Sequence, residues 1–516
     1  MGFLQDQVIS HLSSLSLSHV LLALAVLLVS RATYRLFIHP LSHVPGPWFA
    51  GISHLFLYTI CYFGMEGRVV LHYHNKYDTP VLRIAPDAVS LSDGDALHQV
   101  YIGGGGLPKD ARYNNFRIEG HDTIFSAVDQ EYRDRRAKAV LPLFAPNRIQ
   151  SSYERDGLMA PLVRKYIEKL KEAKGEPNAK VDLLDLSSRL SIDILTGYLF
   201  GRVYGGLDEP PRSKLNNDTA SPSTPLKYGN KLSATPFVLA IVAFSRFSLL
   251  PNWLFTIIFF ALFGRTLANE EFKTSILTVS KFLEDVVDSE QGDGSDDTYQ
   301  SRLKQAGVSR EETLVQCKGI VFAGADSTAV MLATILFHLV QQPAALARLR
   351  EEVVGTAPGA DPQSLPYLRA VVREGLRLGM ANPTRLTRVV PDAGLTVSGY
   401  ALPPGTNVGA AAYVFHHNPD VYPEPFAFRP ERWLLERDET AAAAQVRRVR
   451  ERDMFAFGLG SRACLGRNLA NHQLYVVVRD VVESGVLEGA RTCKDRIEII
   501  EWFNAEIKGH ELEIKW

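Results

Sequence analysis

Cysteine is scarce in this chain: four residues in 516, at positions 61, 317, 464 and 493. That excludes a disulfide scaffold and suits a reducing compartment, where a cysteine is buried, catalytic or a metal ligand. Net charge is nearly absent too. Lys and Arg number 56 against 57 Asp and Glu, a balance of -1, so no basic excess marks a nucleic-acid partner. The sequence has no internal repeat, no long low-complexity run, and no flavin or dinucleotide motif. The glycines at 103–106 lack the strand and helix context a dinucleotide site requires. What remains is ordinary globular composition, 46% hydrophobic and 22% charged, in a body that no linker divides.

The N-terminus departs from that average. From Leu12 the chain reads "LSSLSLSHVLLALAVLLVSR" and carries no Asp, Glu, Lys or Arg until Arg31. About 20 apolar residues suffice to cross a bilayer as a helix. Only Asp6 is charged before the run, so the positive region of a cleaved signal peptide is missing. Arg31 and Arg35 follow it, which places the N-terminus across the membrane and the body in the cytoplasm. The expected division is an anchor over 1–38 and one domain over 39–516. Pro40, Pro45 and Pro47 stiffen the connector between them.

Farther on, 69–100 reads as short strands, "DQEYRDRRAKAVLPLF" as a helix, and 148–342 as a succession of helices. Loops are expected near 209–225 and 290–300. The apolar stretch 237–263 is interrupted by Arg246, Pro251 and Asn252. Neither half reaches the length of a span, so it reads as two buried or membrane-dipping helices.

One cysteine stands out by its setting. Cys464 lies in "FGLGSRACLG", where Gly458, Gly460 and Gly466 permit tight turns and close approach. Phe457 supplies an apolar cover, and Arg462 lies two residues before the cysteine. A helical pattern follows directly, and a helix N-terminus favours thiolate. With no CxxC or HxxH nearby, zinc is excluded. The loop presents one thiolate to a large partner.

This stretch resembles the haem-binding loop of the cytochrome P450 family, in which Phe457, Gly460, Arg462, Cys464 and Gly466 match. Three further stretches match in order. "REGLRL" places Glu374 and Arg377 on an apolar helix, and "FRPERWL" supplies Arg432. The resemblance makes these three a buried cluster behind the loop that serves folding and haem retention. "FAGADST" lies in a long helical pattern, with Ser309 and Glu312 as its capping box and Pro343 just past its end. There the resemblance implies an oxygen groove at Ala323 and Gly324. Asp326 and a neighbouring hydroxyl would relay protons, Ser327 first and Thr328 as the alternate, the family more often having threonine after the acid. For the haem propionates it implies Arg462 and Arg388, then Arg385, and the pair Tyr132 and Arg136.

The implied fold is mainly α with a smaller β region, the cytochrome P450 fold, after an N-terminal transmembrane helix. The implied activity is an oxidoreductase, a monooxygenase with haem b (iron protoporphyrin IX). Cys464 would be the axial iron ligand, a thiolate that favours O–O cleavage. O₂ and a lipophilic small molecule would be substrates. Electrons would come from NADPH through a separate flavoprotein reductase at the endoplasmic reticulum, and the basic run 445–453 would help to dock it. The motifs are similar to those of fungal members that build secondary metabolites such as terpenoids or polyketides. The pocket would be lined by 114–125, 237–263 and 379–386. An isomerase, dehydratase or peroxygenase on the same scaffold, needing no external electrons, is the alternative.

Overall fold

The structure is a computed structural model that describes residues 17–155, 157–176, 179–210, 231–267, 269–289, 297–357, 359–435 and 439–516. Most of the two expected surface loops, and the start of the apolar N-terminal run, lie outside the described residues. The first helix, α1 (Leu17–Thr33), continues into a π-helical turn, Tyr34–Ile38. Together they form a 22-residue apolar helix, long enough to cross a membrane. Its end is tied to the body: Arg35 Nη1 donates to the Ile52 carbonyl at 2.5 Å, and Arg83 Nη1 to the Arg35 carbonyl at 2.9 Å. The proline connector docks as well, with the Arg83 amide on the Pro45 carbonyl at 2.7 Å.

The β region is smaller than expected. Within 69–100 the strands are β1 (Val81–Ala85) and β2 (Ala88–Leu91), while Glu66–Tyr77 is a helix and 95–102 is helical. The 66–77 segment buries Gly67, Val70 and His74 on one face, which is a helical period and not an alternation. In the four-stranded sheet β2 pairs antiparallel with β1 and parallel with β4 (Asn407–Ala410), and β4 pairs antiparallel with β3 (Arg388–Val389). Sheet pairing therefore brings the 81–91 hairpin against residues more than 300 positions later.

The larger core surrounds α4 (Arg310–Gln341), whose 32 residues span about 48 Å. It packs against α2 (Leu183–Phe200), α5 (Pro366–Gly379) and α6 (Arg467–Glu483). Length and composition alone would let α4 cross a membrane, but most of it is buried in this core. Only half of its expected capping box forms. Ser309 Oγ accepts from the Glu312 amide at 3.2 Å, while the Glu312 carboxylate turns away to Arg136 and Tyr132.

The stretch 237–263 folds as two helices. Thr235–Phe244 buries Phe237, Val238 and Val242, whereas α3 (Asn252–Leu267) exposes Trp253, Ile257 and Phe260.

Gly375 explains the glycine inside "REGLRL". A Cβ there would overlap the Ile335 side chain where α5 crosses α4. Overpacking of this kind costs about 1–3 kcal/mol. Gly375→Ala is therefore expected to lower Tm in thermal unfolding, and an unchanged Tm would contradict the crossing.

Candidate functional site

The loop before α6 is held by its own backbone. The Cys464 amide donates to the Phe457 carbonyl at 2.8 Å, Ala463 to Gly460 at 3.1 Å, and Gly458 to Phe455 at 2.8 Å. Gly460 has φ +66°, and a Cβ there would run into the Tyr101 carbonyl oxygen. Ser461 Oγ donates to the Gly105 carbonyl at 2.8 Å. The glycines at 103–106 thus pack against the cysteine loop. Cys464 lies deep in the protein yet keeps accessible surface. Burial pushes its thiol up, countered in part by the Gly466 amide and the Arg467 charge. Arg467, not Arg462, is the guanidinium that acts on the sulfur. A bound metal cation would offset this, since a coordinating thiol is deprotonated outright.

Arg462 turns to the opposite side. It donates to the Ala127 and Val128 carbonyls at 2.8 and 3.2 Å, and to Gln130 at 2.9 Å. Burial, then the charges of Arg133 and Arg388, lower its pKa to about 10. Lys109 is pushed well below the usual lysine range by burial, then by Arg388, Arg462 and Arg133. A bridge between Lys109 and Arg388 joins two of these residues along the backbone. Four basic side chains influence one another here, and Arg133 is ion-paired at 2.8 Å with the half-exposed Asp134 carboxylate, which also partly offsets Arg462. Like charges held together away from water call for an anion, and the two propionates of a haem fit that demand.

This cluster corrects the sequence reading. Tyr132 and Arg136 do not belong to it. Tyr132 Oη donates to the Asp122 carbonyl at 2.8 Å and to Glu312 at 2.5 Å; Arg136 Nη2 reaches Glu312 at 2.9 Å. Spaced i,i+4, they share one face of their helix, Gln130–Val140, and that face meets the start of α4. Arg133 lies about 100° around, on the face marked by buried Ala137 and Val140. That 133, 137, 140 spacing is the signal that identifies it. Arg385 is buried in an ion pair with Glu66 at 2.8 Å through Nε, while its Nη1 and Nη2 are buried without a hydrogen-bond partner among the described residues. Lys109 lies in no motif, and only the fold brings it here.

Behind the loop, the expected cluster forms around Glu374. Its carboxylate accepts five hydrogen bonds: two from Arg377 at 2.9 and 2.8 Å, one from Arg432 at 3.0 Å, one from the Arg429 amide at 2.9 Å, and one from Trp433 Nε1 at 2.8 Å. Arg377 also donates to the carbonyls of His416, Pro425 and Ala427. Burial opposes the Glu374 charge, but the hydrogen bonds and charges of Arg377 and Arg432 outweigh it and hold the carboxyl below the usual range. The basic run 445–453 is mostly engaged within the chain. Arg447 pairs with Glu439, Arg450 donates to the Val421 and Arg432 carbonyls, and Arg452 pairs with Asp453 and Asp95.

On α4 the motif residues sort by helical face. Ala323 is accessible, and Ser327 Oγ, one turn on, donates to its carbonyl at 2.5 Å. Gly324 and Thr328 share another face. A Cβ at Gly324 would press on Leu195 of α2, and Thr328 is only 6% exposed. The close approach at Gly324 is thus between helices, not to a ligand as expected. Ser327, not Thr328, stands on the accessible side. Asp326 lines a cavity beside α2, and its carboxyl is pushed up to about 7 by burial and by Glu506.

The 114–125 segment contributes an aromatic group, completed by a residue the sequence reading missed. Phe116 and Phe125 meet Phe503 at ring-centroid distances of 4.7 and 5.5 Å. The 379–386 segment holds the same C-terminal turn, through Asn382 to the Phe503 carbonyl at 2.8 Å and the Ala505 amide to Ala381 at 2.9 Å.

A family model described as Cytochrome P450 matches residues 45–484. The chain is 49% identical to the cytochrome P450 monooxygenase mfmF of Annulohypoxylon moriforme, covering 95% of this chain and 98% of that protein. It is 30% identical to the trichothecene C-4 hydroxylase of Trichoderma arundinaceum, over 92% of this chain and 93% of the relative. With the conidiogenone synthase of Penicillium rubens it shares 29% identity, over 87% and 88% of the two chains.

The Glu374 cluster carries a stability prediction. Removing one partner of a buried pair costs about 3–5 kcal/mol, so Glu374→Gln is expected to unfold at lower temperature than the parent at neutral pH. A depressed carboxyl stabilises fully above its unfolded-state pKa and loses that contribution as pH falls through its folded pKa. The gap in Tm should therefore narrow in acid, below the ordinary glutamate range. A gap that persists unchanged there would contradict the assignment of charge.

Proposed function

The chain belongs to the cytochrome P450 family and is a monooxygenase, and on that premise we propose that it inserts one oxygen atom from O₂ into a lipophilic intermediate of fungal secondary metabolism. The relatives support the metabolic setting, since two of them bear the names trichothecene C-4 hydroxylase and conidiogenone synthase. A terpenoid or polyketide substrate suits the apolar cover formed by Phe116, Phe125 and Phe503. The observation that carries the cofactor reading is the convergence of Lys109, Arg133, Arg388 and Arg462 beside the Cys464 loop.

Haem b is the family's cofactor and supplies O₂ activation and C–H oxidation when bound. In this reading Cys464 Sγ would ligate its iron, and Lys109, Arg133, Arg388 and Arg462 would hold its propionates. Phe457 and Gly460 shape the loop, and Gly466 turns the chain from the cysteine into α6. Glu374, Arg377 and Arg432 fix the backing of that loop. Ala323 and Ser327 face the groove, where the Ser327 hydroxyl passes a proton while Asp326 serves as its donor. Thr328 packs against the core and takes no part.

Residues 1–38 are proposed as the anchor and 39–516 as the catalytic domain, at the endoplasmic reticulum and facing the cytoplasm. Exposed Trp48, Leu55, Phe63, Trp253 and Phe260 support a second contact with the bilayer surface. NADPH would deliver electrons through a separate flavoprotein reductase.

The test is expression with such a reductase under ¹⁸O₂. One labelled oxygen in a product that requires NADPH is expected; turnover without reductase and NADPH would favour the isomerase, dehydratase or peroxygenase reading. In the same assay Ser327→Ala should lower product formed per NADPH while Thr328→Ala leaves that ratio unchanged. The reverse pattern would assign the hydroxyl role to Thr328.

A further inference from the structure

Asp326 has no hydrogen-bond or ion-pair partner among the described residues. It does have a neighbouring cavity of about 40 Å³. That is room for ordered water, which needs roughly 10–15 Å³ and two to four polar partners. The cavity lies between α4, α2 and the C-terminal hairpin formed by Ile499–Ile500 and Glu506–Ile507. Its apolar walls include Leu184, Val238 and Val330, and its polar groups include Asp326, Glu506 and His510. The last two are already joined: His510 Nε2 lies 3.0 Å from Glu506 Oε1, with the two side chains 17% and 10% exposed. A file of titratable groups thus leads from the accessible edge of the hairpin to the carboxyl of Asp326.

We propose that His510 and Glu506 form the route by which protons from solvent reach Asp326. The inference rests on the monooxygenase reading, which consumes protons at the groove beside Ser327. In each passage Asp326 gives its proton toward the groove by turning about χ1. Glu506 takes a proton from the protonated ring of His510 and hands it to a cavity water, which protonates Asp326, and His510 is reprotonated from solvent. No net charge moves except the delivered proton. His510 and Glu506 act through Asp326 and touch neither substrate nor cofactor.

The other charged groups around the cavity do not supply a competing path. Asp185 is paired with Arg189 at 2.7 Å, and accepts the Leu232 amide at 2.8 Å. Lys231 is held by Asp182 at 3.2 Å and by the His510 carbonyl. These contacts fix the walls and leave the file Asp326, Glu506, His510. The hydrogen bonds of the hairpin keep the file in register, with Glu506 paired to Ile500 and the His510 amide on the Ile507 carbonyl at 2.9 Å. The Glu506 charge is also one of the two causes that raise the Asp326 carboxyl, so the two groups sense each other across the cavity.

The experiment has two arms on the haem-loaded protein and its Glu506→Gln and His510→Gln variants. The first is infrared difference titration of the resting protein, which requires no turnover. A buried carboxyl titrating near neutral pH is expected, absent in Asp326→Asn. Its midpoint should move down in Glu506→Gln, because removing a negative neighbour makes ionisation easier. The second arm measures product formed per NADPH and its solvent isotope effect. A direct general acid contributes roughly 10²–10⁴-fold, and each outer-route variant is expected to lower the product rate about tenfold and to raise the solvent isotope effect. A purely structural role would not move the isotope effect. Wild-type product rate and isotope effect in both variants would overturn the route. If the parent itself makes no oxygenated product, the monooxygenase reading fails instead, and an unshifted midpoint in Glu506→Gln then overturns the coupling on its own.

Discussion

The structure turns on one buried anion. Moving a carboxylate from water into protein carries an idealised cost of order 20 kcal/mol, so Glu374 is tolerated only because five donors surround it. Those donors come from α5 and from the 429–433 segment, which locks two distant parts of the chain together. Arg450 extends the lock by holding the Arg432 carbonyl at 3.0 Å, and the chain then runs directly into the cysteine loop. The same physics applied to the opposite sign gives the functional site. Lys109, Arg133, Arg388 and Arg462 are also drawn out of water, but the fold offers them little negative charge. One cluster is closed within the protein; the other is the one proposed to hold an anionic ligand.

The parts of the site written in short local spacing were legible in the sequence. Glu374, Arg377 and Arg432 meet as their spacing and the resemblance led one to expect. Each lies in a run of a few residues whose chemistry depends on immediate neighbours. The family and its monooxygenase activity were legible on the same grounds. What failed depended on facing and on long-range contact. Tyr132 and Arg136 were read from i,i+4 spacing alone, yet the buried side of that helix is set by Ala137 and Val140, which select Arg133. Lys109 and Phe503 reach the site only through sheet pairing and the C-terminal turn, and no local pattern announces either. The strands expected over 69–100 shrank to 81–91 because Val70 and His74 are buried at helical spacing.

Helical facing also assigns two residues more sharply than spacing does. The stretch "GADST" offers two hydroxyls, but only Ser327 shares the accessible side with Ala323, while Thr328 packs with Gly324 toward α2. A serine in that position keeps the donor and loses the methyl that stiffens χ1. Asp326 lies about 60° from Ala323, on the side away from Gly324 and Thr328, and its side chain lines the cavity beside α2.

The central claim is that Cys464 presents a thiolate to haem iron from a loop whose neighbouring cations hold the porphyrin. The most direct test is the absorption spectrum of the reduced, carbon-monoxide-bound protein, recorded for the parent and for Cys464→Ser. The account predicts the haem-thiolate band in the parent and its loss in the variant. An unaltered band in purified Cys464→Ser would contradict it.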